Sequence, residues 1–84
     1  MVVWVVKIFD YDTGNTDVWG VYSNLALAGR AVASILDYAL DDGRIETYVR
    51  FEESWGYFFQ VYAIGSQGKT QVSEIEIGRV IVNE

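Results

Sequence analysis

The chain has no cysteine, no proline and no histidine among its 84 residues. Without cysteine there is no disulfide framework, and without cysteine or histidine there is no ordinary zinc site. The same absences remove the common nucleophilic constellations, in which an imidazole activates a serine or a cysteine. Every tight turn must be made by Gly, Asn, Asp or Ser. Bases are scarce too: six Lys and Arg stand against twelve Asp and Glu, a net charge of −6. Nucleic acid and anionic membrane both need a cationic footprint, so neither is an expected partner. No apolar run reaches the roughly 20 residues of a membrane span. The opening Met1-Val2-Val3-Trp4-Val5-Val6-Lys7 is too short for the apolar core of a secretory leader and runs straight into strand-like sequence. A cytoplasmic protein is the expectation, with no cofactor and no metal.

Apolar and aromatic side chains are abundant, at 51% and 15% of the chain. A single domain of this length buries only roughly 60–65% of its extended-chain surface, so part of that apolar area stays outside. Self-association as a homodimer is its simplest use.

Periodicity sets the layout. Val2–Phe9 and Val18–Tyr22 read as strands joined through Gly14-Asn15, a pairing that places Val6, Ile8, Trp19 and Val21 on the core side. Ser23–Asp41 reads as a helix with Ser23 as N-cap and Tyr22 stapled against Leu27. Its apolar stripe is Leu25, Ala28, Val32, Ile35, Leu36 and Ala39, and Gly43 is a stop signal after Asp41-Asp42. Ile45–Glu52 alternates strictly and pairs with Tyr57–Ile64 about Ser54-Trp55-Gly56, setting Phe51 against Phe59 and Val49 against Val61. After a turn at Gly65–Gly68, Val72–Ile77 and Val80–Val82 form a last strand bent or interrupted at Gly78. The expected fold is a single α+β domain, an antiparallel sheet with one helix on one face, in the order β-β-α-β-β-β.

One helix covers one face. The other is expected to carry Tyr48, Arg50, Phe58, Gln60, Tyr62 and Ile64, with Trp55 at the neighbouring turn. Aromatics with an arginine among them have the composition of a protein interface. Tyr48, Arg50, Trp55, Phe58 and Tyr62 are therefore the candidate interaction residues.

The loop after the first strand invites a catalytic reading. Asp12-Thr13-Gly14-Asn15-Thr16-Asp17-Val18-Trp19 resembles the active-site run of pepsin-like proteases, and Ile77-Gly78-Arg79 resembles an element near the end of retroviral proteases. Those enzymes need a glycine-rich flap between the two elements; here that space begins with a helix, and too few residues precede Asp12 for their first hairpin. Asp10-x-Asp12 is similar to the two-aspartate phosphatase loop, but Gly14 and the short chain fail that pattern. An EF-hand fails at Gly14, Asn15 and Val21. Asp10, Asp12 and Asp17 remain candidates for weak cation binding only.

Trp4-Val5-Val6, the acidic turn Asp10–Asp17, Gly20-Val21-Tyr22-Ser23 and the helical Ala28 and Ala31 resemble a loose group of small uncharacterised bacterial and phage proteins over residues 2–40. That resemblance implies an α+β fold and brings no activity. A non-enzymatic interaction protein is expected, in a phage setting an inhibitor of a host or defence protein acting by stoichiometric binding. One alternative is a small-ligand binder, for example of nucleotides, with a pocket at a dimer seam served by Arg30, Arg44, Arg50 and Lys69. Another is a structural subunit of a larger assembly.

Overall fold

A computed structural model describes residues 1–41 and 44–83. Alternating β-branched and aromatic residues form β1 (Val2–Asp10), β2 (Thr16–Tyr22), β3 (Ile45–Glu52), β4 (Gly56–Gly65) and β5 (Gly68–Ile81), and the 3.6-residue stripe forms α1 (Leu25–Asp41). All four strand pairings are antiparallel, in the spatial order β2-β1-β5-β4-β3. The last strand in sequence is thus the central one, and β2 and β3 are the edges. The fold is α+β with the helix on one face, as its periodicities imply.

α1 begins with Asn24 as its cap, whose Oδ1 accepts the Leu27 N–H at 2.9 Å. The cap is one residue beyond the expected Ser23, and α1 starts at Leu25. The expected stop at Asp42-Gly43 and the Ala39 side chain lie outside the described residues. Leu25, Ala28, Val32, Ile35 and Leu36 face the sheet, where Ala28 and Val32 join Val6, Val61, Ile75 and Ile77 in the fully buried core. Trp4, Ile8, Tyr57, Phe59 and Val72 pack around them. α1 contacts β1, β2 and β5. The far end of β3 on that same face is left open, with Val49 and Phe51 59% and 58% exposed.

Three expectations from the sequence are corrected. The first hairpin closes between Asp10 and Asn15, whose backbone N–H and C=O bond at 2.9 Å, and not about Gly14-Asn15. Gly14, at φ 73°, supplies the left-handed residue that ends this longer loop. A bulge then shifts the register between Val6, opposite Gly20, and Lys7, opposite Val18. The longer loop moves the register by an even number of residues and keeps the parity, whereas the bulge reverses it from Gly20 onward, so Val21 lies opposite Val5 on the outer face. Trp19 and Val21 are accordingly 56% and 61% exposed, and neither enters the core.

The second hairpin pairs Phe51 with Tyr57 and Val49 with Phe59, two residues from the expected register. A slip of two keeps every side chain on its expected face. The third correction concerns Gly78: of a bend or an interruption there, the interruption is absent, since β5 runs through it. Gly78 sits opposite Gly56 in a continuous strand. A Cβ on Gly56, at φ 141°, would lie 1.9 Å from the Ile77 carbonyl oxygen. Only glycine fits there, and it brings the Trp55 tip down onto β5.

Candidate interaction face

The parity of β3, β4 and β5 gathers one set of side chains on the face away from α1. Arg50 lies opposite Phe58 and Glu46 opposite Tyr62 across β3 and β4, and Ile64 lies opposite Lys69 across β4 and β5. The Arg50 guanidinium stacks 4.7 Å from the Phe58 ring centre and reaches Glu52 at 3.6 Å. The Tyr48 and Tyr62 rings meet edge to face at 5.4 Å and 88°. Lys69 lies over both rings, 4.6 Å from Tyr48 and 5.7 Å from Tyr62. Its ammonium donates to the Tyr48 hydroxyl and to Glu46 Oε2, the latter at 3.2 Å, while the Tyr48 hydroxyl donates to Glu46 at 2.9 Å.

This triad fixes charge as well as shape. The Tyr48 hydroxyl, and after it the Lys69 ammonium, hold the Glu46 carboxyl below its ordinary pKa. The hydrogen bond with Tyr48, then that with Glu46, raises Lys69 above its ordinary value. Both groups are exposed, so the triad mainly orders the two tyrosines.

At the other corner Trp55 folds back from its turn. Its indole N–H donates to Glu76 Oε1 at 2.6 Å, and its carbonyl accepts the Arg79 N–H at 2.7 Å. Glu76 stands between Phe58 and Lys7 in the ladder. Beside Trp55 lies a hollow of about 350 Å³ lined by Val5, Lys7, Glu76, Gly78 and Val80 among others. A second, of about 220 Å³, is lined by Lys7, Phe9, Thr16, Phe58, Glu74 and Glu76. Both are lined by Lys7 and Glu76, so the second adjoins the first, the trough beside Trp55, on the outer face.

All five candidate residues therefore belong to one side of the sheet or to its corner: Tyr48, Arg50, Phe58 and Tyr62 in one cluster, Trp55 at the trough. Sequence reasoning did not single out Glu46 and Glu76, although the alternation Glu46-Thr47-Tyr48 already set Glu46 beside Tyr48. Of the four cations named for a ligand pocket, Arg50 and Lys69 share this face and Arg44 immediately precedes the edge strand β3. Arg30 lies on α1, on the opposite side of the sheet.

The acidic loop holds itself together. Asp10 Oδ1 accepts the Asp12 N–H at 2.8 Å and the Thr13 hydroxyl accepts the Asn15 N–H at 3.3 Å, while Asp17 lies opposite Ile8 in the ladder. Among the described residues, no group of three or more His, Cys, Asp or Glu is close enough to hold a metal ion. No described helix is long and apolar enough to cross a membrane. No family model, characterised protein or solved structure matches this chain.

Proposed function

We propose that the chain is a non-catalytic interaction module that binds a protein partner stoichiometrically through the outer face of its sheet. One observation carries this reading: among the described residues the face opposite α1 has no second layer, and its aromatics are held in place by ionic and hydrogen-bonding contacts. An ordinary solvated sheet face alternates toward polar residues. Here Val3, Val5, Phe9, Phe58 and Tyr62 are only partly covered, and Tyr48 and Trp55 are 46% and 49% exposed.

Rings fixed before contact lose little rotamer freedom on binding, which is what interface anchors require. The trough beside Trp55 gives the face relief for a partner side chain to enter. Inhibition of a bound protein is one outcome of such binding and needs no chemistry from this chain.

The test compares the wild type with Trp55→Ala, Phe58→Ala and Tyr62→Ala on an affinity matrix, followed by titration of the identified, purified partner. Anchors of this kind lose about 2 kcal/mol or more when truncated, whereas Tyr38→Ala, exposed on α1 on the other side of the sheet, leaves binding unchanged. Equal affinity for all four variants would remove the outer face as the binding surface.

A further inference from the structure

β3 is an edge strand, and its free side is unusually well prepared to pair. Only β4 lies beside it among the described residues. The Ile64 N–H bonds the Arg44 carbonyl at 3.0 Å, so the even-numbered residues of β3 turn their backbone groups toward β4. Ile45, Thr47, Val49 and Phe51 consequently point theirs outward, unpaired. Edge strands are normally blunted by bulges, proline or inward charges. β2, the other edge, has its bulge at Trp19, whereas β3 pairs with β4 in unbroken register from Ile45 to Glu52.

We propose that two copies of this chain join antiparallel along β3, about a two-fold axis at Tyr48, into one continuous ten-stranded sheet. The register follows from charge. With Tyr48 opposite its own copy, Glu46 meets Arg50 and Arg44 meets Glu52 of the second chain, and each contact occurs twice. Centring on Val49 sets Glu46 against Glu52; centring on Thr47 sets Arg44 against Arg50. Centring on Glu46 or Arg50 sets that residue against itself. Centring on Ile45 or Phe51 also opposes unlike charges, but pairs only one end of the strand. Among the registers that pair most of β3, that at Tyr48 alone brings opposite charges together throughout, which is how cross-strand pairs stabilise a sheet.

The apolar side agrees. In this register Phe51 covers Ile45 and Val49 covers Thr47 of the second chain, on the face where α1 does not reach. The surface has the area to spare. The chain exposes 5787 Å², roughly 700 Å² more than a folded monomer of its mass, and a standard interface takes about 800 Å² from each partner. The radius of gyration of 13.6 Å likewise exceeds the roughly 12 Å of a compact 84-residue domain. Joining at β3 also sets the two Tyr48, Arg50, Phe58 and Tyr62 clusters side by side, making the outer face bivalent.

The experiment uses sedimentation equilibrium on the full chain and reads self-association alone, so it stands apart from any test of partner binding. The wild type is expected at twice 9.5 kDa. Glu46→Arg and Arg50→Glu each create two like-charge contacts and weaken the dimer about tenfold or more. Mixing the two variants restores association, because each mutant charge then faces its opposite. Val49→Pro removes only an outward N–H, so it gives a monomer with unchanged strand content by circular dichroism. A wild type that stays monomeric to millimolar concentration overturns the proposal. So does a dimer indifferent to both charge reversals, or a mixture no better associated than its components.

Discussion

Replacing Gly56 by alanine tests the junction that seats Trp55. The new Cβ would stand 1.9 Å from the Ile77 carbonyl oxygen and 3.1 Å from its carbon. Those atoms belong to the central strand, paired on both sides, and cannot withdraw without breaking a ladder. Relief therefore has to come from β4, by giving up the Gly56–Gly78 pairing and the 2.7 Å bond from the Arg79 N–H to the Trp55 carbonyl. The positive φ adds about 1–3 kcal/mol of backbone strain, and each lost hydrogen bond about 1 kcal/mol. Together these give a loss of about 3–5 kcal/mol, against a total of roughly 4–13 kcal/mol for a domain of this length. Gly14→Ala is the internal control: its φ is 73° with nothing within 4 Å of the added carbon, so it costs about 1–2 kcal/mol. Urea unfolding followed by tryptophan fluorescence, at one fixed chain concentration, measures both. Gly56→Ala as stable as Gly14→Ala would refute the close approach of β4 to β5 at this point.

Other consequences can be checked in the same way. Asn24→Ala should lose about 1 kcal/mol of stability as a helix cap, while Ser23→Ala leaves the unfolding midpoint in place. Ile75→Ala, which empties a fully buried site, should cost about 2–5 kcal/mol, whereas Trp19→Gln stays within about 1 kcal/mol in the same assay because that side chain is outside the core. In Lys69→Met the Glu46 carboxyl, followed by carbon-13 NMR, should titrate closer to the ordinary glutamate value than in the wild type. Because the folded-state value is depressed, the small stabilisation from Glu46 is complete above the ordinary glutamate pKa and disappears as pH falls through the lower folded one. Lys69 is raised, so its contribution is complete below the ordinary lysine pKa and is lost only as pH rises through the higher folded value.

Much of the outer face was legible because strand parity survives errors of register. β3 and β4 pair two residues away from the register read off their loop, yet Tyr48, Arg50, Phe58 and Tyr62 keep their expected side, since side chains alternate with a period of two. The first hairpin failed for the converse reason. A bulge of one residue turns a strand over, and in Val18-Trp19-Gly20-Val21 only the strand-interior Gly20 hints at one, without fixing its place. In the folded chain Tyr22 lies across Gly20, where an added Cβ would come within 2.7 Å of its hydroxyl. That packing exists only once β2 is paired.

By itself, the sequence determined the elements, the helix stripe that meets the core, and which residues of β3 and β4 share a face. These depend on local periodicity and on turn residues, which act between neighbours in the chain. Only tertiary structure decided that β5 lies at the centre, that Gly78 continues it beneath Trp55, and that β3 keeps a free edge. Those outcomes depend on pairings between segments tens of residues apart. There many registers satisfy the same alternation, and the choice among them is made by close packing at particular atoms, here Gly56 against the Ile77 carbonyl.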